Sequence, residues 1–345
     1  MNADLLERLL ATPGISGREE RIRDVVGKEL EGLVDEVRTD RLGNVLGVRK
    51  GASPRVMLCA HMDSIGFLVS HIDDDGYLRI SPVGGFDPRT LVAQRVLVSG
   101  RDDYVGLLSP ATKPIHLLKK EDRDKAPKIE DFFVDLMLPA EEVHRNVSIG
   151  DPITLLRQPL VTDRAVTAPY LDDRLGVFIL LEALRRLKDV RAEVYAVVSV
   201  QEEVGLRGAR TSTFGIDPDM GIALDITVAA DLPGADKAQN PSTLGKGVSL
   251  GIMDASSISD PRLVTRFREL AEKNGITHQL EVALAGGTDA GGMQLARAGT
   301  PVITISTPTR YVHTANEMAL VEDIEANIDL LARFVESAHE MDLNW

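Results

Sequence analysis

Cysteine, basic residues and long apolar runs are all scarce in this chain of 345 residues. Cys59 is the single cysteine, which excludes an internal disulfide and a thiolate zinc cluster within one chain. Its position in an apolar stretch predicts a buried, inert thiol. No segment approaches about eighteen uninterrupted apolar residues, the length typical of a transmembrane helix. We therefore expect no membrane span, and any bound metal must be held by His, Asp and Glu.

The deficit of basic residues excludes two classes of partner. The 39 Lys and Arg residues against 53 Asp and Glu residues give a formal net charge of −14 at pH 7. Such a charge repels phosphate backbones and anionic lipid, so neither nucleic acid nor a membrane surface is an expected partner. Residues 1–6 contain neither a basic segment nor a long apolar stretch, and we expect a soluble, cytoplasmic protein.

The pattern of apolar residues divides the chain into an α/β part and an inserted β part. Helices are predicted over residues 4–11 and about 17–31, the second opened by a capping box from Ser16 to Glu19. Further helices are predicted over about 173–187, over 261–274 with Asp260 as the N-cap, and over about 320–340. Between residues 64 and 160, short alternating runs separated by Gly, Pro and Asp predict a small β-barrel or sandwich. The charged segment 119–125 is interpreted as a solvated mobile loop, with gating of an active site as the alternative.

Potential metal ligands follow several of the predicted strands. Apolar runs at residues 56–60, 194–200, 221–224 and 302–305 are each followed by acids or imidazoles, and one further acid opens a predicted helix. These residues are His61, Asp63, Asp172, Glu202, Glu203, Asp225 and His313. Because chemistry in open α/β sheets collects beyond the carboxyl ends of the strands, we expect these side chains to converge. Two His and three carboxylates can hold two zinc-like ions.

Asp63 and one of the two adjacent glutamates are assigned tasks other than binding metal. Asp63 lies two residues after His61 on the same strand face, so it can orient a metal-bound imidazole, although a polar pair at a strand end is the simpler alternative. Glu202 and Glu203 are adjacent, so their side chains diverge. One can bind metal while the other acts as general base, and an exposed acidic turn is the alternative.

Charge supports the choice of the ligand carboxylates. A helix cap explains one acid of the pair Asp172 and Asp173 but does not require both, and an unpaired Asp225 after an apolar strand would be costly to bury. Two divalent ions would be neutralised by Asp172, Glu203, Asp225 and one bridging hydroxide. Zinc, cobalt and manganese suit these oxygen and imidazole ligands.

Two such ions lower the pKa of a shared water and polarise a carbonyl, and Glu202 could pass the water's proton to a leaving nitrogen. The predicted reaction is amide hydrolysis.

Six ordered motifs carry a resemblance to a known family. They are Ala60-His61-Met62-Asp63-Ser64-Ile65-Gly66, Leu171-Asp172-Asp173-Arg174, Gln201-Glu202-Glu203-Val204-Gly205, Leu224-Asp225-Ile226-Thr227, Gly287-Thr288-Asp289-Ala290 and Arg310-Tyr311-Val312-His313. With their spacings, they resemble the tetrahedral (TET) or glutamyl aminopeptidase family of di-metal peptidases, some of whose members are labelled endoglucanase. The resemblance runs through nearly the whole chain. Ser64 departs from it, because many members have Glu there.

The resemblance implies a role for each site residue. His61, Asp172 and Asp225 would hold one ion, with Asp172 bridging to a second ion that Glu203 and His313 complete. Glu202 would be the general base and Asp63 the partner of His61.

The resemblance also implies an architecture. It is a three-layer α/β/α phosphorylase/hydrolase-like catalytic domain, residues 1–63 and 161–345, interrupted by a small PDZ-like β-barrel domain, residues 64–160. The inserted domain would serve dimerisation, and homodimers would assemble into a tetrahedral dodecamer. The expected function is a metal-dependent aminopeptidase that acts on short peptides.

Other functions and the substrate preference stay open. A metal-dependent deacylase has similar ligands but places its extra domain later, and the 111 positions between His61 and Asp172 favour the aminopeptidase arrangement. A glycoside hydrolase would leave both His without a role. A non-catalytic, metal-stabilised assembly protein would not need Glu202. The pocket for the first side chain is expected near residues 286–289 and 307–310, where we interpret Asp289 as a helix cap and selection of a basic side chain as the alternative.

Overall fold

Residues 1–113, 115–117, 119–120 and 125–343 are described by the computed structural model. Residues 121–124, the centre of the charged segment considered as a gate, lie outside these ranges. Seventeen strands and eight α-helices are found within them. The strands are β1 (Glu36–Thr39), β2 (Val45–Arg49), β3 (Ala52–His61), β4 (Gly66–Ile72), β5 (Leu78–Val83), β6 (Gln94–Ser99), β7 (Asp103–Pro110), β8 (Phe132–Asp135), β9 (Pro152–Leu155), β10 (Leu160–Val161), β11 (Ala165–Ala168), β12 (Ala192–Ser199), β13 (Met220–Val228), β14 (Val248–Met253), β15 (His278–Val282), β16 (Val302–Arg310) and β17 (Glu317–Leu320). The helices are α1 (Ala3–Ala11), α2 (Glu20–Leu30), α3 (Ala140–Asn146), α4 (Leu171–Arg186), α5 (Arg207–Ile216), α6 (Pro261–Asn274), α7 (Asp289–Gln294) and α8 (Val321–Ser337).

Eleven strands form the larger sheet, whose centre is parallel. The neighbours β12, β3, β13 and β16 run in one direction, and antiparallel strands extend the sheet on both sides. β13 and β16 pair from Gly221 with Val302 to Val228 with Thr309. The expectation that these two strands end at Leu224 and Ile305 is therefore wrong. Each continues because its partner supplies hydrogen bonds beyond the apolar run, so Asp225 lies within a strand.

Helices cover both faces of the larger sheet. Alternate residues of β3 point to opposite faces, with Val56 and Leu58 in the core that contains α1, α2, α4, α6 and α8. Met57 and Cys59 point to the other face, where α5 and α7 pack. Cys59 is buried and forms no disulfide, as predicted. The result is a three-layer α/β/α arrangement.

Two predicted helix starts had different outcomes. Asp260 caps α6 by accepting the Arg262 N–H at 2.9 Å, as predicted. The capping box at Ser16 is wrong, because the Ser16 hydroxyl donates instead to a carboxylate oxygen of Asp63 at 2.6 Å. Glu19 occupies the N-cap position of α2 without a side-chain cap. A fully buried carboxylate needs donors, and this long-range need outweighs the local cap.

The second sheet is a closed barrel of six strands in the order β4-β5-β8-β7-β6-β9. It has its own apolar core, which includes Phe67, Val96 and Phe132. Tyr170, just before α4, joins that core, and its hydroxyl oxygen accepts the Leu155 N–H at 2.5 Å. The fold class predicted from the sequence, a three-layer α/β/α domain with a small inserted β-barrel, is confirmed. The division at residues 64 and 160 stays a prediction.

Among the residues that the structure describes, no helix combines the length and the apolar character needed to cross a bilayer.

Candidate metal centre

The carboxyl edge of the parallel strands gathers side chains from five distant segments. His61 is the last residue of β3, Glu202 and Glu203 lie just beyond β12, and Asp225 lies in β13. His313 follows β16, and Asp172 lies at the start of α4. The structure thus brings together the residues that the sequence selected. These positions follow from parallel strands ending at one edge of the sheet.

His61 is oriented by the backbone. Its Nδ1 lies 3.0 Å from the Asp63 carbonyl oxygen, so a proton on Nδ1 can be donated there. Nε2 then keeps its lone pair and points to the other acids, 3.1 Å from Asp172 Oδ1 and 3.9 Å from Glu202 Oε2. A metal-binding imidazole requires this arrangement of its two nitrogens.

The Asp63 carboxylate supports the turn that carries the two glutamates. Oδ1 accepts the Glu202 N–H at 3.0 Å, and Oδ2 accepts the Glu203 N–H at 3.3 Å together with the Ser16 hydroxyl. His61 Nδ1 is farther away, 3.6 Å from Oδ1. Burial acts to raise the pKa of Asp63, but the interaction with His61 and the donors from Ser16 and Glu202 outweigh it and hold the pKa below its usual value. The Asp63 carboxylate therefore fixes the Glu202 turn, whereas the Asp63 carbonyl oxygen orients His61.

Asp172 lies between the two imidazoles. Its Oδ1 faces His61 Nε2, and its Oδ2 is 3.3 Å from His313 Nε2. His313 Nε2 is also 3.6 Å from Glu203 Oε1, a buried oxygen that has no hydrogen-bond partner. Donor atoms of His61, Asp172 and Glu203 all lie within 4.8 Å of one another. A cation at this position would satisfy the unpartnered Glu203 oxygen.

A second group of donor atoms shares His61 with the first. Atoms of His61, Asp173 and Asp225 also lie within 4.8 Å of one another. A helix cap was expected to explain one acid of the pair Asp172 and Asp173, and Asp173 is that acid, since its Oδ1 accepts the Gly176 N–H at 2.9 Å. Its other oxygen accepts the His61 N–H at 3.2 Å. Residues 172 and 173 have non-helical backbone angles, so regular helix starts only at Arg174.

Glu317 is a site residue that sequence reasoning missed. It is the first residue of β17 and is 1% exposed. Its Oε2 accepts the Asp172 N–H at 3.1 Å, and its Oε1 accepts the His313 N–H at 2.7 Å. One carboxylate thus connects Asp172 and His313, which are distant in sequence. No motif marked it, and its spacing of four residues from His313 was the single available signal.

Asp289 has a different position from the one predicted. Thr288, not Asp289, caps α7, because the Thr288 hydroxyl accepts the Ala290 N–H. Asp289 is buried beneath the site, where it accepts hydrogen bonds from the Ser199 hydroxyl and the Cys59 thiol. Burial, together with the nearby Asp289 carboxyl, raises the pKa of the Cys59 thiol, which agrees with an inert cysteine.

Buried acids outnumber nearby cations. Burial, reinforced by neighbouring carboxyls, raises the pKa of Glu203 to about 8 and that of Glu317 to about 8. It raises the pKa values of Glu202 and Asp225 well above their usual range. Burial alone would lower the pKa of His313, but Asp172 and the other acids around it raise that pKa to about 9. Two divalent cations would offset this excess of carboxylates, so the residues present fit such ions.

Backbone conformation is unusual around the site. Four non-glycine residues have left-handed φ angles: Tyr170 at 68°, Gln201 at 56°, Tyr311 at 60° and His313 at 61°. Each of them is a candidate ligand or lies within two residues of one. Such conformations cost free energy, and they are concentrated at functional sites, where the surrounding structure holds the backbone in place.

One cavity of about 680 Å³ opens onto these groups. Six of the predicted site residues line it, and Asp63 lies behind them. These six are His61, Asp172, Glu202, Glu203, Asp225 and His313. The loop after β5 contributes Gly85 to the wall, and residues around 283–287 form the other side. A substrate in the cavity would therefore contact both sheets.

Comparison with known proteins gives consistent matches. Residues 43–330 match the M42 glutamyl aminopeptidase family. The lysyl aminopeptidase of Pyrococcus furiosus is 38% identical over 98% of this chain and 98% of its own length. A TET aminopeptidase from a marine-sediment archaeon of the Thaumarchaeota is 34% identical, with a TM-score of 0.93 over 99% of this chain and 98% of its own. The TET1 peptidase of Pyrococcus horikoshii, which can assemble into a tetrahedron or a large octahedral shell, is 31% identical, with a TM-score of 0.87 over 96% of this chain and 98% of its own.

Proposed function

The chain belongs to the M42 glutamyl aminopeptidase family, and from that premise we propose that it is a di-metal aminopeptidase that removes N-terminal residues from short peptides. The observation that carries the proposal is the pair of donor groups that meet at His61, one with Asp172 and Glu203 and the other with Asp173 and Asp225. A single structural ion would require only one such set of donor atoms. A scaffold would not require Glu202 within the same cavity.

The donor set assigns the ions to particular residues. His61, Asp172 and Asp225 would hold one ion, and Asp172, Glu203 and His313 the other. Asp173 is close enough to compete with Asp172, but each of its oxygens already accepts a backbone N–H. Zinc is the expected metal, with cobalt and manganese as alternatives. When bound, two such ions supply Lewis-acid polarisation of the scissile carbonyl and lower the pKa of water.

Glu202 is the proposed general base. Its side chain is 8% exposed and lines the cavity, and the Asp63 carboxylate fixes its backbone N–H. Burial raises the pKa of its carboxyl well above the usual value, which suits a group that must first accept a proton and then release it. In the proposed reaction, Glu202 takes a proton from the attacking water and passes it to the leaving nitrogen. Asp63 positions Glu202 and His61.

Recognition of the peptide N-terminus follows from charge. A free α-ammonium group is attracted by the acidic cavity, whereas an acetylated amide has no charge to bind there. The family is named for glutamyl aminopeptidase and one relative is a lysyl aminopeptidase. These names therefore do not identify which substrate side chain this protein prefers.

We also propose homodimers that assemble into a tetrahedral dodecamer, because solved relatives include TET peptidases that form closed shells. Residues 1–63 and 161–345 would form the catalytic domain, and residues 64–160 the dimerisation domain. The mass of the purified protein in solution tests this part: the dodecamer should have a mass about twelve times that of the 37.5 kDa chain.

Hydrolysis of a panel of free and N-acetylated aminoacyl p-nitroanilides tests the activity. We expect cleavage of free amines only, loss of activity on chelation, and recovery on addition of zinc, cobalt or manganese. Cleavage of the acetylated compounds would instead support the deacylase alternative. Activity that survives complete metal removal, or none at all with metal bound, would contradict the proposal.

A further inference from the structure

Two carboxyl groups lie on the cavity wall outside the metal centre. They belong to Glu281, on β15, and Asp254, just after β14. Ser257, Ser259 and Thr304 line the same part of the cavity together with the apolar Met253 and Ala283, and these residues and the two acids define one recess. A recess of this kind, continuous with the candidate catalytic groups, can accept one substrate side chain while the scissile bond stays at the metal centre.

Glu281 is held in a fixed position within that wall. It is 6% exposed and accepts hydrogen bonds from the hydroxyls of Thr227 and Ser249, the second at 2.6 Å. Thr227 lies two residues beyond Asp225 on β13, which places the recess beside the proposed ligands. A carboxylate has about four acceptor positions, so two hydroxyl donors leave capacity for a ligand. Burial and the nearby Asp254 raise the pKa of Glu281 despite these two donors.

No cation of the described residues compensates these acids. Lys and Arg are absent from the described residues that line the cavity, whose imidazoles are those of His61 and His313 in the metal centre. Within the described ranges, neither Glu281 nor Asp254 forms an ion pair with a basic side chain. An acidic side chain in the recess would be repelled, and a neutral one would leave Glu281 uncompensated.

We propose that this recess binds the side chain of the substrate's first residue and selects lysine and arginine, with Glu281 as the specificity-determining acid and Asp254 beside it. The inference rests on the proposed aminopeptidase function. It opposes a preference for glutamate, which the name of the family suggests. A lysine ammonium or an arginine guanidinium would place a positive charge against Glu281 and use the acceptor capacity that Thr227 and Ser249 leave.

The experiment compares lysine with norleucine, a side chain of similar length without the charge. kcat/KM is measured for the lysyl, arginyl, norleucyl and glutamyl p-nitroanilides with the metal-loaded protein and with Glu281→Gln. We expect the wild type to prefer lysine and arginine to norleucine by about tenfold or more, and glutamate to be the poorest substrate. Glu281→Gln should lower the lysine-to-norleucine ratio about tenfold to hundredfold and change norleucine cleavage little.

Matched variants separate specificity from folding. Glu141→Gln removes an exposed acid on α3 of the barrel and should leave the ratio unchanged. Asp254→Asn should lower the ratio less than Glu281→Gln does, and it replaces that variant if Glu281→Gln does not fold. A loss that is equal for all substrates would assign Glu281 a structural role and overturn the inference.

Failure of the specificity and failure of the activity give different results. A kcat/KM for norleucine or glutamate equal to or higher than that for lysine would overturn the inference and leave the aminopeptidase proposal intact. If no compound is cleaved with metal bound, the activity proposal fails, and calorimetric binding of L-lysinol against L-norleucinol still tests the recess. Tighter binding of lysinol that Glu281→Gln abolishes supports a cation-selective recess, and equal binding contradicts it.

Discussion

The two halves of the candidate metal centre differ in burial and in origin. In the inner half, His61 is 1% exposed and Asp225 is 6% exposed, and both lie on central parallel strands of the sheet. In the outer half, the His313 side chain is 33% exposed and lies in a loop beyond β16. Strands paired on both sides hold their side chains more rigidly than a loop does. The fold itself therefore holds the inner ligands in position.

The outer half depends on one additional residue. Glu317 accepts the backbone N–H groups of Asp172 and His313, and so fixes the distance between two proposed ligands. Removal of this brace would release both. The outer ion would then lose two fixed ligands, whereas the inner ion would lose only Asp172, which the two ions share. We expect the outer ion to be lost first on chelation. Substitutions at the site and the pH dependence of the metal-free protein test this difference between the two ions.

The largest effect is expected from the adjacent glutamates. Glu202→Gln should lower kcat by about 10²–10⁴-fold while both ions stay bound, because it removes a proton acceptor and no ligand. Glu203→Gln should instead remove the outer ion and leave the inner one. Metal content per subunit, measured beside kcat, checks both. If Glu202→Gln loses an ion while Glu203→Gln keeps two, the roles of the two residues are exchanged.

An intermediate effect is expected at Glu317. Glu317→Ala should weaken binding of the outer ion about 10–100-fold and that of the inner ion less, because the outer ion loses two positioned ligands, His313 and Asp172, and the inner ion only Asp172. Calorimetric titration of the metal-free protein with zinc measures the two affinities separately. Glu317→Gln keeps a side-chain acceptor and should restore part of the affinity. Equal weakening of both ions would remove the proposed difference between the halves.

The smallest effect is a pH dependence of the metal-free protein. His313 has its pKa raised from 6.5 to about 9, so its contribution to stability is complete below about pH 6.5 and is lost as the pH rises through about 9. Glu203 and Glu317 have pKa values raised from 4.5 to about 8, so the folded state retains protons that the unfolded state has released, and stability falls as the pH rises towards 8.

All three groups therefore destabilise the metal-free protein as the pH rises from about 5 to 9. Metal binding displaces the protons of the proposed ligands His313 and Glu203, so its affinity rises with pH. The difference in Tm between metal-loaded and chelator-treated protein should widen from pH 6 to pH 9. His313→Gln should reduce the widening. A difference that stays constant or narrows would show that these outer groups do not control the stability of the centre.

Much of the fold and most of the site could be predicted from the sequence, for a local reason. Apolar runs such as residues 56–60 have a period and a composition that predict strands, and His61 and Asp225 directly follow predicted strands. Short runs of alternating apolar and polar residues between residues 64 and 160 predicted a β domain, and the strands of the barrel lie within this range. The prediction failed where a residue's partner is distant in sequence. Ser16 had the spacing of a cap, yet its hydroxyl binds Asp63.

The sequence by itself determined the strand core, the chemistry of the donor set and the family, because apolar periodicity and ordered motifs are properties of the chain. Only the tertiary structure decided that Asp172 lies between both imidazoles, that Glu317 braces the outer half, and that Asp289 lies beneath the site. It also decided that Glu281 faces the cavity without a cation. The physical reason is that burial and the pairing of charges depend on contacts between distant segments, which leave no local pattern.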